Sequence, residues 1–164
     1  MTGAMDDRFD FVFSCPPYFN LEIYSDDPAD LSNCPDYGDF LKSYWDIVAK
    51  AVGKLREDRF ACFVVGDVRG KDGAYLNLPG DTITAFATAG SCLYNEAILV
   101  TMAGSLPLRV AAQFKAGRKL GKTHQNVLVF WKGDTKRIKD ALGELNADIS
   151  LPSLADPVPY RMGD

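Results

Sequence analysis

The sequence is poor in the residues from which metal and hydrolase sites are usually built. Its 164 residues include one histidine, His124, and four cysteines with no Cys-x-x-Cys spacing. A zinc site assembled from local ligand pairs is therefore not expected, and neither is a motif that needs two histidines. Most hydrolase sites are also less expected, because a Ser-His-Asp triad or a Cys-His pair would have to use His124. We predict no metal site and four reduced thiols: Cys15, Cys34, Cys62 and Cys92.

Long apolar runs are also missing. No run approaches the ~18 to 20 residues that span a bilayer, and the acidic first ten residues lack the apolar stretch of a signal peptide. We therefore expect a cytoplasmic protein with no membrane partner. Hydrophobic residues (47%) and charged residues (24%) occur in ordinary globular proportions, which excludes a disordered or collagen-like chain. The length is sufficient for one compact core.

Acidic residues are absent from one stretch of the chain. Residues 102–133 carry six basic side chains and no acidic one, whereas residues 1–101 carry sixteen acidic and eight basic side chains. We interpret residues 102–125 as a long basic loop, and loops of this length are usually functional. Such a loop either contacts phosphates or forms a solvated surface that balances the acidic remainder; we favour DNA contact. The candidate DNA-binding residues are Arg109, Lys115, Arg118, Lys119, Lys122 and His124, the last with a structural hydrogen-bonding role as its alternative.

Apolar runs and helical periodicity give the order of the elements. Strands are predicted over residues 9–15, 60–66, 92–101 and 126–132, and helices over residues 37–55, 81–89 and about 135–145. This alternation predicts an open α/β sheet with right-handed crossovers, whose last strand returns antiparallel. Ligands of such sheets bind beyond the carboxyl ends of the parallel strands. Residues 14–36, 66–80 and 102–125 would meet there.

One hexapeptide at this edge carries most of the information. Ser14, Cys15, Pro16, Pro17 and Tyr18, followed by Phe19, come directly after the first apolar strand. Two prolines end a strand firmly because neither can donate to a ladder, so the motif could be a simple terminator. Its place at the ligand-binding edge favours a functional interpretation. Nearby, Asp67 either borders the same pocket or caps a loop.

With this motif the chain resembles the AdoMet-dependent DNA methyltransferases that modify the exocyclic amino group of cytosine (N4) or adenine (N6). Their signature is a short polar residue, Pro-Pro and an aromatic residue at the end of the fourth strand. The similarity covers residues 9–133 and includes Val65-Gly66-Asp67-Val68-Arg69 and the run from Arg118 to Asn126. It looks like the type found in phage-like genomes, sometimes fused to a ParB-like domain.

The resemblance implies roles for the motif. The polar residue before the prolines and the main-chain carbonyl of Pro16 would accept hydrogen bonds from the amino group. Tyr18 would stack on the base, which must be flipped out of the duplex. Cys15, a weak acceptor, occupies the position usually taken by Asp, Asn or Ser. Ser14 could substitute for it only if the strand has already begun to turn.

The resemblance also implies S-adenosyl-L-methionine as cofactor of the complete domain, held at a glycine-rich turn after the first of seven strands. The sequence contains no Phe-x-Gly-x-Gly-like turn after a strand, and only four strands are predicted. We therefore predict that residues 1–145 form a Rossmann-like catalytic half, that residues 146–164 form an extended tail, and that an upstream AdoMet-binding half or another chain is required. Without that half, residues 9–15 would form an apolar edge, so we expect a homodimer, an aggregate, or folding only with the partner.

Three functions are compatible with the sequence. The first is the catalytic region of a DNA amino-methyltransferase, favoured by the Pro-Pro-Tyr motif and the basic stretch. The second is a non-catalytic remnant that binds nucleic acid or another subunit, favoured by the missing glycine turn. The third, methylation of a protein glutamine or of RNA, is less favoured because the wider resemblance is to DNA enzymes.

Overall fold

The computed structural model describes residues 7–100 and 106–144. Its elements in chain order are β1 (Phe9–Ser14), a 3-10 turn (Leu31–Asn33), α1 (Tyr37–Lys54), β2 (Leu55–Val65), α2 (Leu78–Thr88), β3 (Cys92–Val100), α3 (Leu106–Gly117), β4 (His124–Lys132), a second 3-10 turn (Thr135–Arg137) and α4 (Ile138–Leu142). The four described strands form one sheet in the order β1-β2-β4-β3. The strands β1 and β2 pair in parallel, and β4 lies antiparallel between β2 and β3. The predicted open α/β sheet with an antiparallel last strand is confirmed.

Helix α1 begins where its sequence indicates. The carboxylate of Asp36 accepts the backbone N–H of Asp39 at 2.9 Å, which satisfies one of the donors that a helix N-terminus leaves free. One face of the helix is fully or almost fully buried, and its residues recur every fourth position: Phe40, Tyr44, Val48 and Val52. This face packs on the sheet, as the periodicity predicts.

The C-terminus of α1 is held by the last strand of the sheet. The ammonium group of Lys132 in β4 donates to the main-chain oxygens of Val52 and Leu55, at 3.0 and 2.6 Å. These carbonyls belong to the end of the helix, where no intrahelical donor remains for them. The chain passes directly from Lys54 into β2, five residues earlier than the sequence predicts.

The core lies between α1, α2 and one face of β2 and β4. Phe86 of α2 stacks on Phe130 of β4 with ring centroids 3.8 Å apart, and meets Phe63 of β2 edge-on at 4.9 Å. Two buried hydroxyls within this layer are paired, because those of Tyr44 and Thr82 lie 3.0 Å apart. The described helices include none that is long and apolar enough to cross a membrane.

The start of the second helix, the last helix and the basic stretch also differ from the sequence prediction. Helix α2 begins at Leu78, three residues early, because Pro79 suits the first helical turn. The last helix is divided into a 3-10 turn and the short α4. The predicted uninterrupted basic loop is wrong, because α3 occupies much of it. Alanine, leucine and glutamine favour a helix there, and Gly117 is its last residue. The predicted tail, residues 146–164, lies outside the described residues.

The outer edge of β1 is uncovered, as the sequence predicts for half of a domain. Phe9, Phe11 and Phe13 are 58%, 55% and 63% exposed. Among the described strands only β2 pairs with β1, so no described strand pairs with the backbone N–H and C=O groups on the other side of β1. This edge and α1 border a groove of about 500 Å³.

Candidate active site

The Ser-Cys-Pro-Pro-Tyr motif lies where β1 ends. Ser14 is the last residue of the strand, and its backbone is still in register with Phe63 of β2. Cys15 follows outside the strand and is exposed. The strand has therefore not turned at Ser14, which was the condition for Ser14 to take the place of Cys15. Of Ser14 and Cys15, it is Cys15 whose side chain contacts Tyr18.

Tyr18 is fixed by two hydrogen-bond partners and one glycine. Its hydroxyl donates to the main-chain oxygen of Val64 at 3.2 Å and lies 3.3 Å from Sγ of Cys15. Its ring covers Gly66 so closely that a Cβ there would lie 3.1 Å from the ring carbon Cε2. The ring of Tyr18 therefore occupies the space that a glycine after β2 leaves open.

The protonation of Tyr18 follows from its surroundings. Burial, and after it the hydrogen bond with Cys15, raise the pKa of Tyr18 above its ordinary value, so the phenol is neutral at physiological pH. The phenol can donate to Val64, and in the contact with Cys15 either partner can be the donor.

Phe19 anchors the motif in the core, although the sequence analysis did not count it among the site residues. It is 9% exposed, and its ring meets the rings of Tyr37 and Phe40 edge-on, with centroid distances of 5.6 Å in both cases. Its φ of +58° lies in the left-handed region, which costs a residue with a Cβ about 1–2 kcal/mol. The sequence signal for this role is that Tyr18 and Phe19 are adjacent. Two adjacent side chains cannot both face the same side of an extended chain, so one of the two is expected to face the core.

Asp67 caps the loop that follows β2. Its Oδ1 accepts the backbone N–H groups of Val68 and Asn77, both at 2.9 Å, and of Leu78 at 3.2 Å. Of the two roles considered from the sequence, loop capping is the one that these contacts support. The carboxylate closes a small hairpin, residues 68–76, in which Arg69 and Tyr75 pair as an antiparallel bridge.

The hairpin meets the segment between α3 and β4, as the sequence predicts for this edge. The two together surround a cavity of about 490 Å³, lined by Asp67, Arg69, Tyr75, Arg118, Leu120, Gly121, Lys122 and His124. The side chain of Lys119 reaches the hairpin as well, and its Cε and Nζ lie 3.6 Å from the place of a Cβ on Gly73. Three of the six candidate DNA-binding residues therefore line one cavity, and Lys119 adjoins it.

Arg118 also has a structural role. Its φ of +53° ends α3, and its guanidinium donates to the main-chain oxygens of Phe114 and Lys115, both at 3.0 Å. Lys115 is exposed on α3 and does not line the cavity, and Arg109 belongs to the same helix. His124 is the first residue of β4, where it pairs with Val100 and is exposed.

Comparison with known proteins identifies the architecture. No protein-family model and no curated protein matches the chain. Solved structures do match, and they include three crystal structures of TTHA0409, a candidate DNA modification methylase of Thermus thermophilus. The selenomethionine derivative, the native protein and a complex with S-adenosyl-L-methionine give TM-scores of 0.56, 0.56 and 0.55 at 17%, 19% and 21% identity. The chain has the fold of these methylase structures.

The likeness extends over most of this chain and half of the other. Each alignment covers 78% of the present chain and 46–49% of TTHA0409. The chain thus spans about half the length of the protein that it matches. In the present chain the Ser-Cys-Pro-Pro-Tyr motif lies at the carboxyl end of β1, one of the two parallel strands of the described sheet.

Proposed function

We propose that this chain carries the target-base side of a DNA methyltransferase, which transfers a methyl group from S-adenosyl-L-methionine to the exocyclic amino group of cytosine or adenine. The observation that carries the proposal is the position of Cys15 and Tyr18. They lie together at the carboxyl end of β1, against Gly66, in a fold shared with methylase structures. Open α/β sheets bind their ligands at this edge.

The chemistry of the amino group explains why these residue types suit the task. Its lone pair is delocalised into the ring of the base, so it becomes nucleophilic only when acceptors draw its hydrogens out of the ring plane. The sulfur of Cys15 and the main-chain carbonyl of Pro16 are the acceptors that we assign. Tyr18 supplies a stacking surface for the flipped base, whose extrusion from the duplex costs a few kcal/mol.

The described residues do not by themselves fit the cofactor. Gly66 is the glycine that directly follows β2, and the space above it is filled by the ring of Tyr18. The described strands include none that leads into a Phe-x-Gly-x-Gly-like turn. We infer that the cofactor contacts come from a further segment or a second chain seated along the unpaired edge of β1. This chain then provides the groups that hold the base.

DNA is the partner that the basic side chains fit. Lys119 and Lys122 adjoin the cavity beside the motif, and no ion pair of the described residues includes either of them. Each lysine that contacts a phosphate adds affinity that falls with salt. The double variant K119Q/K122Q should reduce the slope of log affinity against log salt by up to ~2. An unchanged slope would assign these lysines to a solvated surface.

Methyl transfer is the decisive measurement. Labelled S-adenosyl-L-methionine and duplex DNA are incubated with the chain, alone and as the longest product of its gene, and the modified nucleoside is identified by mass spectrometry. Tyr18→Ala should lower the rate roughly 10- to 100-fold, because base stacking is worth about 1–3 kcal/mol. Tyr24→Ala, which removes an exposed tyrosine of the same loop, is the matched control and should retain the rate.

Two results would overturn the proposal. Label that appears in protein or RNA instead of DNA would assign a different substrate. DNA binding without methyl transfer in every form of the protein would favour the non-catalytic alternative, a nucleic-acid-binding remnant of the fold.

A further inference from the structure

Arg69 is held flat by its own hairpin. Its guanidinium carbon lies 3.9 Å from the centroid of the Tyr75 ring, and one terminal nitrogen donates to the main-chain oxygen of Gly73 at 2.8 Å. The hairpin is closed by backbone hydrogen bonds of 2.9 Å, from Gly70 to Ala74 and from Leu76 to Val68. A surface arginine usually samples many rotamers, whereas this one is fixed in one plane before any ligand arrives.

The charge of Arg69 is not balanced by an ion pair within the described part of the chain. Asp67 is the carboxylate of the cavity, and its Oδ1 is already committed to three backbone N–H groups. The cation–π contact with Tyr75 leaves the positive charge in place. Arg56 and Arg59, by contrast, both bind Asp10.

A second cation from a distant part of the sequence approaches the same ring. Nζ of Lys122 lies 5.9 Å from the Tyr75 centroid, and Lys122 lines the cavity together with Arg69. Neither cation is in an ion pair of the described residues, and two positive charges near one aromatic ring repel each other. A planar guanidinium and an ammonium that line one cavity suit a phosphate, which the first can bind by two parallel hydrogen bonds and the second as a point charge.

We propose that Arg69, positioned on Tyr75, and Lys122 together bind one backbone phosphate of the DNA strand that enters this edge of the sheet. The inference rests on the proposed function, since it names a contact of the same DNA. It adds the hairpin, residues 68–76, to a surface that the sequence assigned to the α3–β4 segment alone.

The hairpin supplies its own control. Lys71 is exposed near the tip and does not line the cavity. Arg69→Gln and Lys71→Gln therefore remove the same charge from the same hairpin, and only the first removes the proposed phosphate ligand. Binding of each variant to a 20-base-pair duplex is measured by fluorescence anisotropy over a series of salt concentrations. Thermal melting confirms that each variant is folded.

We expect Arg69→Gln to reduce the slope of log affinity against log salt by about 1, and Lys71→Gln to leave it near the native value. Tyr75→Phe should bind as the native chain does, because the ring is kept. Tyr75→Ala should weaken binding, because Arg69 loses its support. Arg69→Lys should keep the slope but bind less tightly, since an ammonium lacks the planar fork.

Equal slopes for Arg69→Gln and Lys71→Gln would overturn the inference, and so would a native chain with no salt-dependent affinity for the duplex. A preference for duplex RNA over duplex DNA would overturn it as well. These outcomes are separate from the methyl-transfer assay. If Arg69→Gln reduces the slope but no methyl transfer is found, only the proposed catalytic function is contradicted. If methyl transfer is found but Arg69→Gln and Lys71→Gln have equal slopes, only this phosphate contact is contradicted.

Discussion

Gly66 determines where Tyr18 lies. A methyl group at this position would stand 3.1 Å from the ring carbon Cε2, which is closer than ordinary van der Waals contact. The ring cannot simply rotate away, because its hydroxyl is tied to Val64 and to Cys15. The geometry of the proposed base-stacking surface thus depends on the absence of a side chain in a neighbouring loop.

Gly66→Ala should therefore disturb function more than stability. We expect a loss of about 1 kcal/mol in the free energy of unfolding, at the low end of overpacking costs, and a larger proportional loss of methyl transfer as Tyr18 shifts. Gly53→Ala is the matched control. No atom lies within 4 Å of its added Cβ, and alanine stabilises a helix by roughly 0.5–1 kcal/mol over glycine. If urea unfolding shows that both variants change the free energy of unfolding in the same direction, this account of Gly66 is contradicted.

The four thiols should differ in reactivity. Burial raises the pKa of the Cys62 thiol and of the Cys34 thiol, and only the thiolate reacts with an alkylating agent. Cys15 and Cys92 are exposed. At pH 8 we expect iodoacetamide to label Cys15 and Cys92 first and Cys62 last, and the lag of Cys62 to shrink as the pH rises toward its raised pKa. Peptide mapping by mass spectrometry measures the order; early labelling of Cys62 would contradict it.

At the scale of elements, Asp67 joins the end of β2 to the start of α2. One oxygen accepts three backbone N–H groups, including those of Asn77, which precedes the helix, and of Leu78, its first residue. Asp67→Ala leaves these donors without their acceptor, and we expect it to lower the free energy of unfolding by about 1–3 kcal/mol. Asp72→Ala, which removes one exposed acceptor of the same hairpin, should cost less. Equal costs in urea unfolding would contradict the capping role.

The elements that could be predicted are those whose signals are local. The apolar run before Pro16 gives β1, and Asp36 with its spaced apolar residues gives α1. Helix α3 was missed because the basic charges of its neighbourhood dominated the interpretation, although its own composition favours a helix. The place of Tyr75 under Arg69, and of Gly66 under Tyr18, could not be predicted. Both depend on how a loop folds back, which neither spacing nor composition records.

At the scale of the whole molecule, the edge of the described sheet at β1 is apolar and invites association. Phe11 and Phe13 are more than half exposed on a strand whose outer backbone groups are unpaired among the described strands. We expect the isolated chain to form dimers or larger species through this edge as its concentration rises, measured by light scattering. Phe11→Asp should reduce the association with little loss of stability, because this side chain is already exposed.

Ile98→Asp tests the opposite edge of the sheet. Ile98 is 53% exposed on β3. If this variant reduces association and Phe11→Asp does not, the contact lies at β3. A cooperatively melting monomer at all concentrations would show that the fold is self-sufficient, and the interpretation of the chain as half of a methyltransferase would then fail.

The position of β4 has a consequence for the timing of folding. This strand comes after α3 in the sequence, yet it lies between β2 and β3 and its Lys132 closes the end of α1. During synthesis β3 consequently has no hydrogen-bonded neighbour among the described strands until β4 has left the ribosome. Contacts so distant in sequence form slowly. A nascent chain should remain sensitive to protease until Lys132 emerges, and then become resistant in a single step.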